Sequence, residues 1–289
     1  MDRKILQRGG FGLLAFFLLL FLPAWSQAMP NFNGQPDILW QNVDNGGIYY
    51  WLLNGAQFVS GDYLVDPYQI PDGWKIVGTP DLDGDGESDI LWQNEKTAAV
   101  YYWTLNGTTV TGGDYILDPY QISTDWQIVG TPDLNGDGWP DILWQNENNG
   151  AVYYWLMEGP NIVSGDYLVD PYQVPTQWQI VGTPDLNGDG SPDILWQNEN
   201  NGAVYYWLMN GIDFISGNYL VDAYQVPTQW QIVGVPDLNG DGSPDILWQN
   251  EDNGGVYYWL MRGTDFLSGG YLSKPYQVPP TWQIVGMHS

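Results

Sequence analysis

Three observations predict an all-β fold, a single closed β-propeller of five four-stranded blades: a 52-residue repeat, an abundance of turn residues, and strands apolar on both faces. The repeat comes first. The string DILWQN places its tryptophan at Trp40, Trp92, Trp144, Trp196 and Trp248, each 52 residues after the last. Residues 30–289 hold five such units, with no remainder for a linker or a second domain. Between residues 133–184 and 185–236, 43 of 52 positions are identical, so one structural solution serves every unit. A long, regular period is the mark of propellers, solenoids and arrays. Turn chemistry is the second observation: 36 Gly and 20 Pro in 289 residues are too many for a helical protein.

Each unit reads as four short strands. WQIVG (Trp178–Gly182) leads through a Gly/Asp loop into DILWQN (193–198). Glu199-Asn200-Asn201-Gly202 turns the chain into AVYYWLM (203–209), and Asn210-Gly211 turns it again into DFISGNYLV (Asp213–Val221). Asn-Gly between apolar runs is a strong short-range hairpin signal. In AVYYWLM, Ala203, Tyr205, Trp207 and Met209 fall on one face and Val204, Tyr206 and Leu208 on the other. A strand apolar on both faces belongs to a sheet packed between other sheets, which radial blades provide. The phase of the repeat predicts closure. The first unit lacks a WQIVG strand of its own, and 282–286 is a spare one with no unit after it. The C-terminal strand is expected to complete the first blade and leave no orphan edge; an open array is the alternative.

Before the repeats comes a segment that reads as a secretory leader, residues 1–28, ahead of a propeller over 29–289. Asp2, Arg3, Lys4 and Arg8 give a net-positive opening, FGLLAFFLLLFL follows at 11–22, and Ser26-Gln27-Ala28 is a small-x-small cleavage signal. The apolar run falls short of the roughly 20 residues that span a bilayer, so cleavage is expected, with no membrane insertion afterwards and a secreted, periplasmic or cell-surface location. An uncleaved anchor is the alternative.

Charge and composition exclude several function classes. Seven Lys plus Arg oppose 34 Asp plus Glu, a formal net charge of −27. Removing the leader's three cations and one acid leaves four against thirty-three, a net −29. Nucleic acid is therefore not an expected partner, because phosphate contacts need clustered cations. Without cysteine there is no disulfide framework, thiolate nucleophile or Cys-ligated zinc. The single histidine, His288, lies one residue from the C-terminus, a poor place for a general base. Paired carboxylates exist, but near-identical units give the same acids the same surroundings, whereas a glycosidase needs two acids in unlike environments. No enzyme is expected, and a glycosidase-like propeller is the least favoured alternative.

The acidic loops before DILW are the one chemical motif. The second unit carries Asp81, Asp83, Asp85 and Asp89; the later ones carry Asp133, Asn135, Asp137 and Asp141, then Asp185, Asn187, Asp189 and Asp193, then Asp237, Asn239, Asp241 and Asp245. Oxygen side chains at loop positions one, three, five and nine suit a hard cation taking six to eight oxygens. Carbonyls at position seven (Glu87, Trp139, Ser191, Ser243) add a further donor each, and Gly at position six lets the loop fold tightly. Calcium is expected, with magnesium or a plain solvated turn as alternatives. An EF-hand is excluded, since position twelve holds Trp92, Trp144, Trp196 or Trp248 where that motif needs Glu. In the first unit the equivalent positions are Met29, Asn31, Asn33 and Asp37, so four sites are expected rather than five.

The loops D-L-N-G-D-G-x-P-D followed by DILWQN resemble the FG-GAP/VCBS repeats of bacterial exported proteins, over residues 30–289. They are also similar to the calcium-binding hairpins of integrin α-subunit propellers. The resemblance implies a β-propeller with calcium held between the first two strands of a blade, at the loops named above. It departs from the integrin pattern in having five units rather than seven. It implies adhesion, lectin or accessory-module roles without choosing a ligand.

Repetition itself favours multivalent binding, since several weak sites raise avidity on a repeated ligand. Carbohydrate or a cell-surface protein is the expected partner, and a structural or adhesion scaffold is the alternative. The candidate contacts are Tyr68, Tyr120, Tyr172, Tyr224 and Tyr276 in the connector before each WQIVG-type strand, with Asp66, Asp118, Asp170 and Asp222 nearby. They either stack on sugar rings or pack between blades. Trp139, which breaks the template at a loop tip, is a lone candidate for an exposed contact.

Overall fold

The computed structural model describes residues 37–288. Among them are twenty strands in five four-stranded antiparallel sheets, with no helix. Blade two is representative: inner strand Trp74–Gly78, second strand Ile90–Asn94, third strand Val100–Asn106 and outer strand Thr109–Leu117, in that spatial order. Blades three, four and five begin at Trp126, Trp178 and Trp230 and repeat it. Blade one takes its second strand from Asp37–Asn42 and its inner strand from Trp282–His288 at the other end of the chain. The leader, Met29, Asn31 and Asn33 lie outside the described residues.

Closure follows the template in register. Trp282 lies opposite Asn42 and Ile284 opposite Trp40, as Trp178 lies opposite Asn198 and Ile180 opposite Trp196. Each inner strand touches the next, and the strand Trp282–His288 touches those of blades two and five, so the contacts form a cycle. The fold is a closed five-bladed β-propeller. The core lies between the blades as five apolar clusters. One joins Leu143, Val152 and Tyr154 of blade three to Ile180, Ile194 and Trp196 of blade four. The closing cluster joins Leu247 and Val256 of blade five to Ile38 and Trp40 of blade one. This is where the two apolar faces of each blade are buried.

A polar clamp accompanies each interface. The glutamine of every WQN string donates to a backbone carbonyl of the next blade's inner strand and accepts a backbone N–H from the same strand. Gln93 Nε2 lies 2.6 Å from the Trp126 carbonyl, and the Ile128 N–H donates to its Oε1 at 2.9 Å. Gln41, Gln145 and Gln197 do the same. Gln249 clamps the C-terminal strand through Trp282 and Ile284. A buried amide that satisfies two inner-strand groups costs nothing in unpaired polarity and fixes the register between sheets.

Candidate functional site

The two ends of the propeller carry different chemistry. At one end lie the acidic loops joining inner to second strands. Each is pinned by its ninth residue, which is fully buried in blades two to five. The Asp89 carboxylate accepts the Leu82 N–H at 2.8 Å through one oxygen and the Leu105 N–H, on the third strand, at 2.9 Å through the other. Asp141, Asp193 and Asp245 take the matching pairs of amides. Sequence reasoning took these aspartates as ligands alone; here each also ties the loop to the sheet. Burial pushes Asp89 up to about 6, opposed by its two backbone donors and reinforced by Asp83 and Asp81. Asp141, Asp193 and Asp245 are raised for the same reasons.

The exposed positions curl the loop upon itself. In blade three, Asp133 accepts the Gly136 N–H at 2.8 Å and the Gly138 N–H at 2.9 Å, while Asn135 Oδ1 accepts the Asp137 N–H at 2.9 Å. Gly136 and Gly138 adopt φ of 73° and 90°, a conformation that favours glycine. In blade two, carboxylate oxygens of Asp81, Asp83 and Asp89 lie within 4.8 Å of one another. Three hard oxygen donors this close together form a group that could hold a metal ion. Among the described residues this three-acid cluster occurs only there. The other loops carry Asn at position three and so have one carboxylate fewer. Glu87 accepts the Gly107 N–H of its own blade's outer hairpin, so its side chain braces the loop.

Blade one departs from the others. Among the described residues, Asp37 accepts the Leu53 N–H alone, at 3.0 Å, and its buried Oδ2 has no hydrogen-bond partner there. Burial pushes it up to about 6. The residue matching Leu82 in the repeat is Pro30, which has no amide hydrogen to give. Trp139 does not stand free. Its ring lies over Gly84 of the blade-two loop, so close that a Cβ there would come within 3.0 Å, and beside Gly159.

At the opposite end lie the connectors and the hairpins between second and third strands. The five connector tyrosines are 78% to 84% exposed, so they do not pack between blades. All five hold φ between 64° and 67°, a region that bulky side chains seldom adopt. Each is fixed by its own N–H, which donates to the hairpin of the preceding blade: Tyr172 to Asn149 and Tyr224 to Asn201, both at 2.7 Å. Asp170 and Gln173 flank Tyr172, both exposed. Among the described residues the ion pairs gather at blade two: Lys75 of its inner strand with Glu95 of its hairpin, and Lys96 of that hairpin with Asp72 of the connector leading into the blade. The tyrosines were legible as candidates; their backbone strain and common orientation were not.

Comparison with known proteins follows the loops. Residues 81–144 match the model of the FG-GAP-like repeat, and residues 177–207 that of the FG-GAP repeat. Two segments of the chain thus match FG-GAP repeats. The chain is also 24% identical over 212 residues to Protein linkin of Caenorhabditis elegans, matching 68% of this chain and 35% of linkin. It thus spans about a third of that relative's length. A chain of a nidogen/laminin complex superposes with a TM-score of 0.50 at 11% identity, over 87% of this chain and 97% of that one. Part of a Photorhabdus luminescens Tc holotoxin pore gives 0.45 at 16% identity, over 87% of this chain and 12% of that one. At 11% identity the likeness to the nidogen/laminin chain is one of fold.

Proposed function

We propose that this FG-GAP propeller is an exported, calcium-binding module that binds a repeated ligand multivalently, either carbohydrate or a cell-surface protein. One observation carries the reading: five exposed tyrosines, held in the same strained backbone conformation at one end of a closed ring. Strain of order 1–3 kcal/mol per residue is kept where a position matters for binding, and here it is kept five times. A tyrosine ring offers a flat apolar face, and neighbouring Asp and Gln offer hydrogen bonds, which suits the two sides of a sugar. The nidogen/laminin neighbour is itself part of a protein complex, which supports a protein partner in the same role. No catalytic step is assigned.

Calcium is proposed at four loops, held by Asp81, Asp83, Asp85 and Asp89 in blade two and by the matching Asp and Asn in blades three to five. The ion's part is structural: it offsets carboxylates crowded at one end. Residues 1–28 are proposed as the leader, giving a secreted, periplasmic or cell-surface protein. A glycan array probed with the protein, with and without EDTA, tests the binding proposal. Retained signal on a subset of glycans in calcium is expected; an empty array, together with no retention on cell-surface protein, would sink it.

A further inference from the structure

Blades four and five each carry a pocket made almost wholly of aromatic rings. In blade four Trp178, Trp196, Tyr205, Trp207 and Tyr219 line a cavity of about 220 Å3, with Val174 and Pro175 of the preceding connector. In blade five Trp230, Trp248, Tyr257, Trp259 and Tyr271 line one of about 210 Å3, with Val226 and Pro227. The rings stand at steep angles. Tyr205 meets Tyr219 at 88° and 5.0 Å, Trp178 meets Tyr205 at 73° and 6.3 Å, and Trp196 tilts 57° to Trp207 at 4.9 Å. Tyr219 and Tyr271 are about half exposed at the mouth.

The lining is what selects a ligand. It contains no charged side chain, amide or aliphatic hydroxyl. The indole N–H groups of Trp196 and Trp248 are buried and have no hydrogen-bond partner among the described residues, so the polar side-chain groups on offer are tyrosine hydroxyls and the N–H of the other two indoles. A polyhydroxylated sugar entering here would lose hydration with few partners in return. An ammonium such as lysine's has three N–H donors and the same difficulty. A quaternary ammonium has none. It is cationic, weakly hydrated and covered in methyl groups, and aromatic faces attract it through their quadrupoles. The charge of the chain agrees: the formal net charge is −27, which concentrates cations around the molecule.

We infer that the aromatic pockets of blades four and five bind quaternary ammonium groups, at a site separate from the connector tyrosines. The same five residue types recur in the other blades, for example Trp126, Trp144, Tyr153, Trp155 and Tyr167.

The test is calorimetric titration of the whole protein with choline, and with 3,3-dimethylbutan-1-ol, its neutral isostere. Choline is expected to bind saturably with at least two sites per chain, and the alcohol about tenfold or more weaker. Equal binding of the two, or no saturable choline binding, overturns the inference. Tyr219→Leu with Tyr271→Leu should weaken choline several-fold, and Tyr219→Phe with Tyr271→Phe should restore it. Both positions are half exposed, and unchanged melting curves will show that the variants fold; loss in the Leu pair without rescue by Phe counts against the cation–π account. Phosphatidylcholine vesicles and free phosphocholine distinguish a membrane headgroup from a soluble source. Replacing Tyr172 with Ala should leave choline binding intact, so failure of the glycan proposal and failure of this one are separable.

Discussion

Gln249→Leu isolates the closure of the ring. The side chain is 5% exposed, donates to the Trp282 carbonyl at 2.6 Å and accepts the Ile284 N–H at 3.0 Å. Leucine keeps nearly the same volume and removes both bonds, leaving a carbonyl and an amide unpaired in a buried setting. Each unsatisfied group costs about 1–3 kcal/mol, so the pair costs about 2–6 kcal/mol, against a typical domain stability of about 5–15 kcal/mol. Gln145→Leu removes the same two bonds at an interior interface, where the clamped strand Trp178–Gly182 is held by chain at both ends. Trp282–His288 pairs with Asp37–Asn42 without the loop that joins inner to second strand in blades two to five, so its local opening should become the cheapest unfolding event. Native-state hydrogen exchange is the assay. Amide protection across Trp282–His288 and its partner Asp37–Asn42 should fall about thirtyfold or more in Gln249→Leu. In Gln145→Leu these amides should change only as much as the global stability does. Equal protection of the closing strand in Gln249→Leu and the parent would refute the closure reasoning.

Other outcomes follow from single residues. Ala98 holds φ of 54° where the other described units have Gly46, Gly150, Gly202 and Gly254, so Ala98→Gly should stabilise by about 1 kcal/mol; a loss in denaturant unfolding contradicts this. The reverse change at Gly150 places a Cβ 2.0 Å from the Val174 carbonyl, and Gly150→Ala should destabilise clearly. Asp37 is raised from 3.8 to about 6 by burial. The folded state therefore favours its protonated form: its contribution is most favourable below pH 3.8, weakens as pH rises towards 6 and is lost above. The stability of the parent relative to Asp37→Asn should fall across that window, and a flat difference would show Asp37 to be unperturbed. Calcium bound only to the folded loops should raise the melting temperature with concentration; identical melts in calcium and EDTA would remove the metal from the account.

The blade plan was legible because one template is written five times. Apolar periodicity, Asn-Gly turns and the displaced WQIVG strand needed no tertiary knowledge, and the register across Trp282 and Asn42 agrees with them. Boundaries differ slightly. The second strand was expected from residue 193 but starts at Ile194, and Asp193, just before it, takes the Leu186 and Met209 amides. That role is not visible in the sequence, where an acid after a Gly/Asp loop reads as a ligand. The glutamine clamps were missed although their signal was present: a glutamine directly after the tryptophan in all five second strands. The left-handed tyrosines could not be read, since positive φ is ordinarily signalled by Gly or Asn. Trp139 resembled an exposed contact, and only the proximity of the blade-two loop shows where its ring goes.

The central claim is that binding is shared among the five connector tyrosines. Glycine relieves the backbone at φ near 65° while removing the ring, so Tyr172→Gly and then Tyr224→Gly, Tyr276→Gly, Tyr120→Gly and Tyr68→Gly can be accumulated without loss of fold. Retention on the immobilised glycan or cell-surface protein that binds the parent should fall in graded steps as rings are removed, with melting temperatures unchanged or higher. Retention that survives all five replacements, or that vanishes at one position and ignores the rest, would contradict the account.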